Sequence, residues 1–551
     1  MPIGVLSSYR MKFATLFAAA LLFCSVSHVS AQISQTQGEL KFDNVIMKGY
    51  SQIATPMAVT SEGNVVVTST MINGQSLGSF VAMSSPKLPN TPTWKVDIKS
   101  GSIIKAILAD NEGGVYIGGD FNEKITLGGI TLTGKKSENA EKTNAFVAHI
   151  SKEGKVLAAY AFVSTPNAEM VNKFSTYSQG DKVYCKLNSL VIADGKLYAG
   201  LIFTDVLSNA AGDAKVTSGT WNLSGWGMGV GSDADFVAVE LDAETMQAKA
   251  FPVVFGGKGN YTDASYMGID AKSAKMASDG SNLYLVASVN GFYSNAALQV
   301  NGEVKDEPSF SYVAGGINAF YVASVNLGNN TSSAKVYDGK HKWVSGASNL
   351  VEPGVASLTV KGDDLYIGGS FIQAFPFDTN VEAVGNTDIF FVSLKKSDLS
   401  VQKALASGYD EKSVGNDNEE KFSGFAIDGT QLSVYGGVAS RKDVYSPSTL
   451  STPLNFTADM ASATGLTAGS AEQYTTGAVL SADGKYTYTS LLNADQTSVS
   501  YQYTENTSNG VQQLVVDKAD KNNAVYNLQG MKLRAPQKGL NIIGGKKVVI
   551  K

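Results

Sequence analysis

Apolar and polar positions along the chain alternate in a strand–turn–strand unit that occurs six times. Each copy has an apolar strand, a short polar turn and a second strand that usually ends in a glycine pair or an aromatic residue. The copies lie at residues 58–70, 107–121, 190–203, 275–289, 358–371 and 425–438. Alternation with a period of two predicts β-strands, and Asp-Gly and Glu-Gly pairs favour tight hairpin turns. The recurrence of one such unit indicates a repeat architecture.

A second, less regular hairpin follows within the units, most clearly at residues 144–162, 235–254, 318–337 and 388–406. Each unit therefore predicts four antiparallel strands. The units begin near Val65, Val115, Leu197, Leu283, Leu365 and Leu432, farther apart than the roughly 20 to 45 residues of a solenoid repeat. Four-stranded sheets repeated around an axis form a β-propeller. The predicted fold class is all-β, a β-propeller of six or seven four-stranded blades.

The number of blades depends on how the ring closes. Residues 40–49 predict an outermost strand ahead of the first unit, and such a strand can complete the last blade without leaving a sheet edge exposed. Residues 475–492 fit the second hairpin of a sixth blade or the first hairpin of a seventh. We favour seven blades closed by the N-terminal strand. The glycine pairs after Ile117, Ile367 and Tyr435 fit strands that crowd toward the axis or, alternatively, β-bulges.

The repeat pattern NGxVYIxGxF followed by DxFVxxLxxxGxVxxA resembles the SBBP-like β-propeller repeats of secreted and surface bacterial proteins. Residues 107–162 match this pattern best, and the resemblance extends over roughly residues 50–490. It implies the propeller fold and an exported protein. It implies no catalytic residue, because the motif consists of turn and core positions.

The N-terminal residues have the pattern of a secretory signal. Lys12 precedes an apolar stretch at residues 13–23, and Val29, Ser30 and Ala31 form a small-residue site, so cleavage is expected after Ala31. The apolar stretch is too short for a stable membrane span, and no other segment approaches the roughly 20 apolar residues that a membrane helix needs. We expect an exported protein at the cell surface or in the extracellular medium, with the periplasm as the alternative.

The last residues predict a separate module. Residues 509–551 contain four short strand-like runs separated by turns, and from Lys521 onward they hold seven basic residues and no acidic residue. The segments VYNLQG, KGLNII and KKVVIK resemble the C-terminal tails of secreted Bacteroidetes proteins, which implies a type IX sorting domain read by outer-membrane export machinery. The alternative is a small structural β-appendage. The predicted domains are a signal peptide at 1–31, a β-propeller at 32–505 and a sorting-like tail at 506–551.

Composition removes several classes of function. The 44 basic residues are scattered and fewer than the 49 acidic ones, which does not indicate a nucleic-acid binder. Cys185 is the one cysteine after the predicted signal, and its alternating context predicts a buried small side chain rather than a nucleophile. His149 and His341 are too far apart in the ring to form a zinc site with it. The sequence has no HExxH, GxSxG or P-loop pattern, and we expect no catalytic motif, metal site or cofactor.

The long connections are the predicted working surface. Those between the second and third strands (residues 122–143, 204–234, 290–317 and 372–387) and those between blades (residues 164–184, 256–270, 339–354 and 407–421) should emerge on one side, which we call the elaborated face. The candidate ligand-binding residues are aromatic side chains in these connections, namely Trp221, Trp226, Tyr261, Tyr266, Tyr293, Trp343 and Tyr409. Tyr312, Phe375 and Phe377 are further exposed-looking aromatics. Aromatic faces beside polar groups suit glycans and protein partners, although such residues can also pin loops to the propeller.

Three functions fit these observations. The first is a non-catalytic propeller that binds a glycan or a surface protein through the elaborated face. The second is a carbohydrate-active enzyme, a lyase or hydrolase, which would need two placed carboxylates. The acidic candidates are predicted mostly as solvated turn residues: Asp205, Asp213, Asp233, Asp263, Glu303, Asp306 and Asp378. The third function is a structural or adhesion protein without a small ligand.

Overall fold

A computed structural model describes the chain in a set of ranges. These are residues 38–43, 55–73, 76–99, 101–136, 144–175, 177, 183–222, 224–227, 229–257, 270–290, 298–306, 319–339, 354–372, 374–383, 388–407, 418–428, 431–440, 450–459, 467–470, 474–481, 483–493, 497–505, 525–526, 532–533, 539–543 and 546–550. The chain divides into two compact units, Met1–Glu505 and Asn506–Lys551. The predicted signal at 1–31 lies outside the described residues.

The first unit is built from β-strands that form successive blades. Ahead of the blades lies β1 (Glu39–Asp43). Blade 1 has β2 (Met57–Val59), β3 (Val65–Asn73), β4 (Ser76–Ser84) and β5 (Trp94–Lys99). Blade 2 has β6 (Ser102–Ala109), β7 (Val115–Phe121), an inserted hairpin β8 (Lys124–Leu127) and β9 (Ile130–Thr133), β10 (Asn144–Ile150) and β11 (Val156–Phe162). The helix α1 (Ala168–Lys173) follows. Blade 3 has β12 (Cys185–Ala193), β13 (Lys196–Phe203), the insertions β14 (Val206–Ser208), β15 (Lys215–Thr217), β16 (Thr220–Asn222) and β17 (Val230–Ser232), then β18 (Asp235–Leu241) and β19 (Ala248–Gly257).

The remaining blades follow the same plan. Blade 4 has β20 (Asp270–Ser278), β21 (Asn282–Asn290), the inserted β22 (Leu298–Val300) and β23 (Glu303–Asp306), β24 (Ala319–Asn326) and β25 (Ser332–Asp338). Blade 5 has β26 (Gly354–Lys361), β27 (Asp364–Phe371), the inserted β28 (Ala374–Phe375) and β29 (Asp378–Glu382), β30 (Asp388–Lys395) and β31 (Val401–Ser407). Blade 6 has β32 (Asn418–Asp428), β33 (Gln431–Ser440), β34 (Leu450–Asp459) and β35 (Thr467–Ser470). The last sheet has β36 (Tyr474–Leu480), β37 (Tyr486–Leu492) and β38 (Ser498–Glu505).

Six blades use four core strands in chain order, and the last sheet joins the two ends of the unit. In that sheet β1 pairs antiparallel with β38, and Leu40 lies opposite Tyr501. The innermost strands β2, β6, β12, β20, β26, β32 and β36 lie side by side in this order. The ring closes where the Thr55 N–H donates to the Thr476 carbonyl at 3.0 Å. The all-β propeller is confirmed, and within the described residues the N-terminal strand completes a seventh four-stranded sheet as predicted.

A β-bulge recurs in the innermost strands, and in blades 2 and 5 a glycine of the neighbouring strand lies close against it. In β6 the pairing skips Lys105, so that Ile104 lies opposite Gly119 and Ala106 opposite Gly118. The same shift occurs in β12, β20, β26, β32 and β36. A Cβ on Gly119 would lie only 1.9 Å from the Ile103 carbonyl oxygen. Gly119 therefore makes room for the bulge of β6, the alternative that the sequence left open. The bulges of β12, β20 and β36 lie opposite Leu201, Val289 and Leu491 instead, so this position does not need glycine in every sheet.

The connections after the second and fourth strands of each blade emerge on the same side of the propeller, the elaborated face, because neighbouring strands of a blade are antiparallel. In blades 2 to 5 the connection after the second strand carries a hairpin that packs on the preceding blade. The hairpin β8–β9 extends blade 1 through β5, and β22–β23 extends blade 3 through β19. In blade 3, Thr165 forms a bridge with Val206 at the start of β14. In blade 5, the hairpin β28–β29 packs against blade 4.

Buried apolar side chains fill the spaces between neighbouring blades. Cys185 is fully buried in one such cluster, together with Leu187 and Val237, and burial raises the pKa of its thiol. The prediction of a buried cysteine side chain is confirmed. Trp94 is half-buried on the outer strand of blade 1, where its Nε1–H donates to the Lys152 carbonyl of blade 2 at 2.8 Å. No helix among the described residues is long and apolar enough to cross a membrane.

The second unit has a sheet of its own. Its strands are β39 (Val525–Tyr526), β40 (Lys532–Leu533), β41 (Gly539–Ile543) and β42 (Lys546–Ile550). They pair antiparallel in the order β40-β39-β41-β42. This agrees with the four short strands expected from the sequence.

Candidate ligand-binding site on the elaborated face

The connection between β13 and β18 of blade 3 is built around the carboxylate of Asp205. Its Oδ1 accepts hydrogen bonds from the Asn167 N–H at 2.8 Å and from the Tyr177 hydroxyl at 2.5 Å. Its own N–H donates to Ser218 Oγ at 2.9 Å. Burial and the bond to Asp205 raise the pKa of Tyr177, so the phenol stays protonated. These bonds join Asn167 and Tyr177, which lie on either side of α1 in the sequence, to the inserted connection and hold it in place.

Two acidic residues of this connection therefore differ from the prediction. Asp205 is 2% exposed and Asp233 is 1% exposed, whereas the sequence predicted acidic residues here mostly as solvated turns. Asp205 also has a positive φ of 62°, a conformation that Asp adopts more readily than most residues. Asp205 is satisfied by the Asn167 N–H and the Tyr177 hydroxyl, which lie about 30 to 40 residues earlier in the chain, and a local sequence pattern does not reveal such contacts.

Asp235 begins the third strand of blade 3 and anchors the end of the connection. It is 4% exposed, and its Oδ2 accepts a hydrogen bond from the Gly219 N–H at 2.9 Å. A Cβ on Gly256 would lie 1.9 Å from Asp235 Oδ1, so only glycine fits beside it on β19. Asn144 takes the same position in blade 2, where its Oδ1 accepts from the Lys135 N–H at 2.8 Å. A polar residue at this repeat position ties down the inserted connection.

A cavity of about 480 Å³ opens beside Asp235 on the elaborated side of blade 3. One wall is the segment 216–219 of the insertion, another is the end of β19, and the third is the β22–β23 turn. Half-buried Phe251 and Pro252 give the cavity an apolar side. Gln299 and exposed Asn301 add amide groups, although the Asn301 amide also bonds to the backbone of Pro252 and Val254. The lining thus combines an apolar surface with a carboxylate and carboxamides.

The structure places two of the predicted aromatic residues in one connection. Trp221 lies on β16, half-buried, and faces Gly231 on β17; a Cβ on Gly231 would lie 2.3 Å from Trp221 Cζ2. Its ring is therefore partly used to pack this hairpin. Trp226 ends a 3₁₀ turn at Ser224–Trp226. Trp221 is not among the described residues that line the cavity beside Asp235. The remaining candidates lie outside the described residues: Tyr261, Tyr266, Tyr293, Trp343 and Tyr409.

Two of the further aromatics are core residues, which corrects the prediction that they are exposed. Phe375 is fully buried and Phe377 is 8% exposed. The Phe377 ring centroid lies 5.4 Å from that of Phe320 and 4.6 Å from that of Tyr337, both on blade 4. The hairpin β28–β29 uses these rings to attach to the preceding blade, because apolar rings gain more from burial than from exposure.

Sequence reasoning missed the residues that line the cavity. Phe251 and Gln299 are half-buried on strands of different blades, so nothing in their local pattern links them. Asp235 carried a signal, since it repeats the Asp or Asn that opens the third strand at Asn144 and Asp388. That position indicates an anchor for the connection. It does not indicate what the connection encloses.

Comparisons with known proteins give fold-level likeness only. The chain matches no protein-family model and no curated protein. Among solved structures it is similar to Sqt1 from Chaetomium thermophilum, with 9% identity, a TM-score of 0.40, and coverage of 86% of this chain and 99% of that one. It is also similar to the polysaccharide lyase Uly1, with 10% identity, a TM-score of 0.39, and coverage of 87% and 94%. The endosialidase of phage phi92 has 8% identity, a TM-score of 0.36, and coverage of 93% and 77%. The β-propeller assignment rests on the strand topology of the chain itself, and the SBBP-like resemblance remains one of sequence pattern.

Proposed function

We propose that this protein is an exported β-propeller that binds a glycan, without catalysis, through the cavity beside Asp235 on the elaborated face. The observation that supports this most directly is the lining of that cavity. Its volume of about 480 Å³ lies within the roughly 300 to 1,000 Å³ of small-molecule sites. One wall of the cavity is the β13–β18 connection, which is held in place by buried hydrogen bonds within the protein. This wall therefore needs little further ordering when a ligand binds.

The chemistry of the lining suits a sugar ring. A sugar presents C–H groups on its faces and hydroxyl groups at its rim. Phe251 and Pro252 offer an apolar surface for the first, and Gln299 offers amide donor and acceptor groups for the second.

The acidic content of the lining favours binding over hydrolysis. Glycoside hydrolysis ordinarily uses two carboxyl groups, about 5 Å to 9.5 Å apart. Among the described lining residues Asp235 is the one carboxylate, and its Oδ2 is engaged by the Gly219 N–H. Its structural task makes it a poor general acid, because proton transfer would weaken the anchor of the connection.

A binding assay with matched variants tests this site. Glycans that bind wild type on an array are titrated calorimetrically against Gln299→Ala, which should bind about three- to tenfold more weakly, as expected for one lost hydrogen bond. Gln402→Ala on β31, an exposed glutamine of blade 5, should bind like wild type. Equal affinity for wild type and Gln299→Ala would contradict the site.

A double variant, Trp221→Ala with Trp226→Ala, separates the two candidate locations. Binding that survives in it but falls in Gln299→Ala supports the cavity. Binding that survives in Gln299→Ala but falls in the double variant would place the glycan contact at Trp221 and Trp226, as the sequence predicted. Release of shorter glycans during the assay would favour the alternative of a lyase or hydrolase.

We also propose that the protein is exported to the cell surface or the medium and that the second unit directs the last step. Support comes from the signal-like residues 11–31 and from the basic, strand-forming tail. The full chain and a chain lacking residues 506–551 are expressed in a bacterium with a type IX system, and surface and periplasmic protein are compared. Retention of the shortened chain in the periplasm is expected. Equal amounts of the full and the shortened chain at the cell surface would indicate that the tail is a structural appendage without a role in export.

A further inference from the structure

The axis of the propeller contains a second cavity, separate from the one on the elaborated face. Its volume is about 320 Å³, and it is lined by segments of the innermost strands β2, β6, β12, β20, β26 and β36. Most of the lining consists of small, apolar or hydroxyl side chains, such as Ala106, Ser189 and Thr476. The exceptions are Asn188 and two lysines, Lys105 and Lys275.

Lys105 is the residue that the β6 bulge adds to its strand, and its charge is balanced within the protein. Its Nζ lies 2.6 Å from Asp120 Oδ2, and both side chains are largely buried, at 15% and 4% exposed. The other Asp120 oxygen accepts a hydrogen bond from the Leu187 N–H of blade 3 at 2.7 Å. This carboxylate therefore bridges blades 2 and 3 and neutralises one of the two ammonium groups.

Lys275 has no carboxylate of its own among the described residues. Its Nζ donates to the carbonyl of Asn188, the residue added by the bulge of β12, at 3.0 Å. An ammonium group has three N–H donors, so two remain for other acceptors. Burial, together with the nearby charge of Lys105, lowers the pKa of Lys275 to about 8.

The described charges of the channel leave an excess of one positive charge at neutral pH. Two ammonium groups face one carboxylate, in a narrow space whose walls screen charge less than water does. A buried cation is unfavourable until a counter-charge and hydrogen-bond acceptors reach it. A small anion would supply both.

We propose that the axial channel binds an oxyanion, the carboxylate, phosphate or sulfate group of a small ligand, at Lys275 with Lys105 beside it. The ammonium groups supply N–H donors and charge, and the hydroxyl side chains of the inner strands complete a polar surround. The site lies outside the glycan cavity and does not depend on it. Anion binding should therefore persist in Gln299→Ala.

Titration with three simple anions tests the proposal. Inorganic phosphate, sulfate and citrate are added to the full chain at pH 7 and constant ionic strength, with chloride as reference, and thermal unfolding and calorimetry are recorded. At least one of the three should raise the unfolding temperature and bind at a single site. Comparison of the three identifies which oxyanion group fits the channel.

Variants assign the effect to the channel. Lys275→Met should bind the anion about ten- to hundredfold more weakly, as expected for the loss of a charge-assisted hydrogen bond. Lys275→Arg should retain part of the binding. Lys196→Met removes an exposed lysine paired with Glu240 on the outside of blade 3 and should bind like wild type. The proposal is overturned if none of the anions binds, or if Lys275→Met and Lys196→Met bind equally.

Discussion

Replacing Gly119 with alanine should lower the free energy of unfolding by about 2–4 kcal/mol, although the change adds one methyl group. Gly119 lies opposite the β6 bulge, and its Cβ would be 1.9 Å from the Ile103 carbonyl oxygen, where real Cβ contacts essentially never fall below 3.0 Å. The carbonyl must therefore move by about 1 Å. Overpacking of this kind costs about 1–3 kcal/mol. Disturbed hydrogen bonds between β6 and β7 add about 0.5–1.5 kcal/mol each.

The assay is thermal and urea unfolding of wild type and variants, followed by circular dichroism. Gly369→Ala in blade 5 has the same geometry, with a Cβ 2.1 Å from the Gly354 carbonyl oxygen, and should behave alike. Gly328→Ala is the control, because it sits in an exposed turn and its nearest neighbour is 3.4 Å away. A Gly119→Ala protein as stable as Gly328→Ala would refute the idea that Gly119 is needed to accommodate the β6 bulge.

Three further predictions concern ring closure, the channel lysine and the cysteine. Leu40→Ala should lower the free energy of unfolding by about 2–4 kcal/mol, because Leu40 is fully buried on the strand that completes the last sheet. The control Lys41→Ala, at an exposed residue of the same strand, should change the free energy of unfolding by less than about 0.5 kcal/mol. Since the pKa of Lys275 falls from 10.5 to about 8 on folding, unfolding takes up a proton between these values. Without added anion, the stability of wild type relative to Lys275→Met should therefore rise by about 1–2 kcal/mol from pH 7 to pH 9.5; a flat difference in urea titrations would contradict the lowered pKa. Cys185 should react with a thiol reagent only after unfolding, measured in a Cys24→Ala background; rapid labelling of the folded protein would show that the thiol is accessible.

The inserted connections show most clearly what the local sequence pattern predicts and where it fails. Alternating apolar positions predicted the strand pairs of the blades, since a half-buried strand must present one side to each neighbour. The same reasoning treated Phe375 as exposed, because residues 372–387 show no long alternating run. Burial of Phe375 depends on blade 4, whose Phe320 is distant in sequence and adjacent in space.

The repeat, the hairpin turns and the glycine pairs follow from the amino-acid sequence, since each depends on residues that are neighbours along the chain or on a period of two. What the tertiary structure decides is which distant residues meet. Lys105, Asp120 and Lys275 come together at the axis from two blades, and Asp235 and Gln299 share a cavity through an inserted hairpin. The proximity of these residues depends on ring closure and on the register of the bulges. Both are set by packing between blades, which local periodicity does not encode.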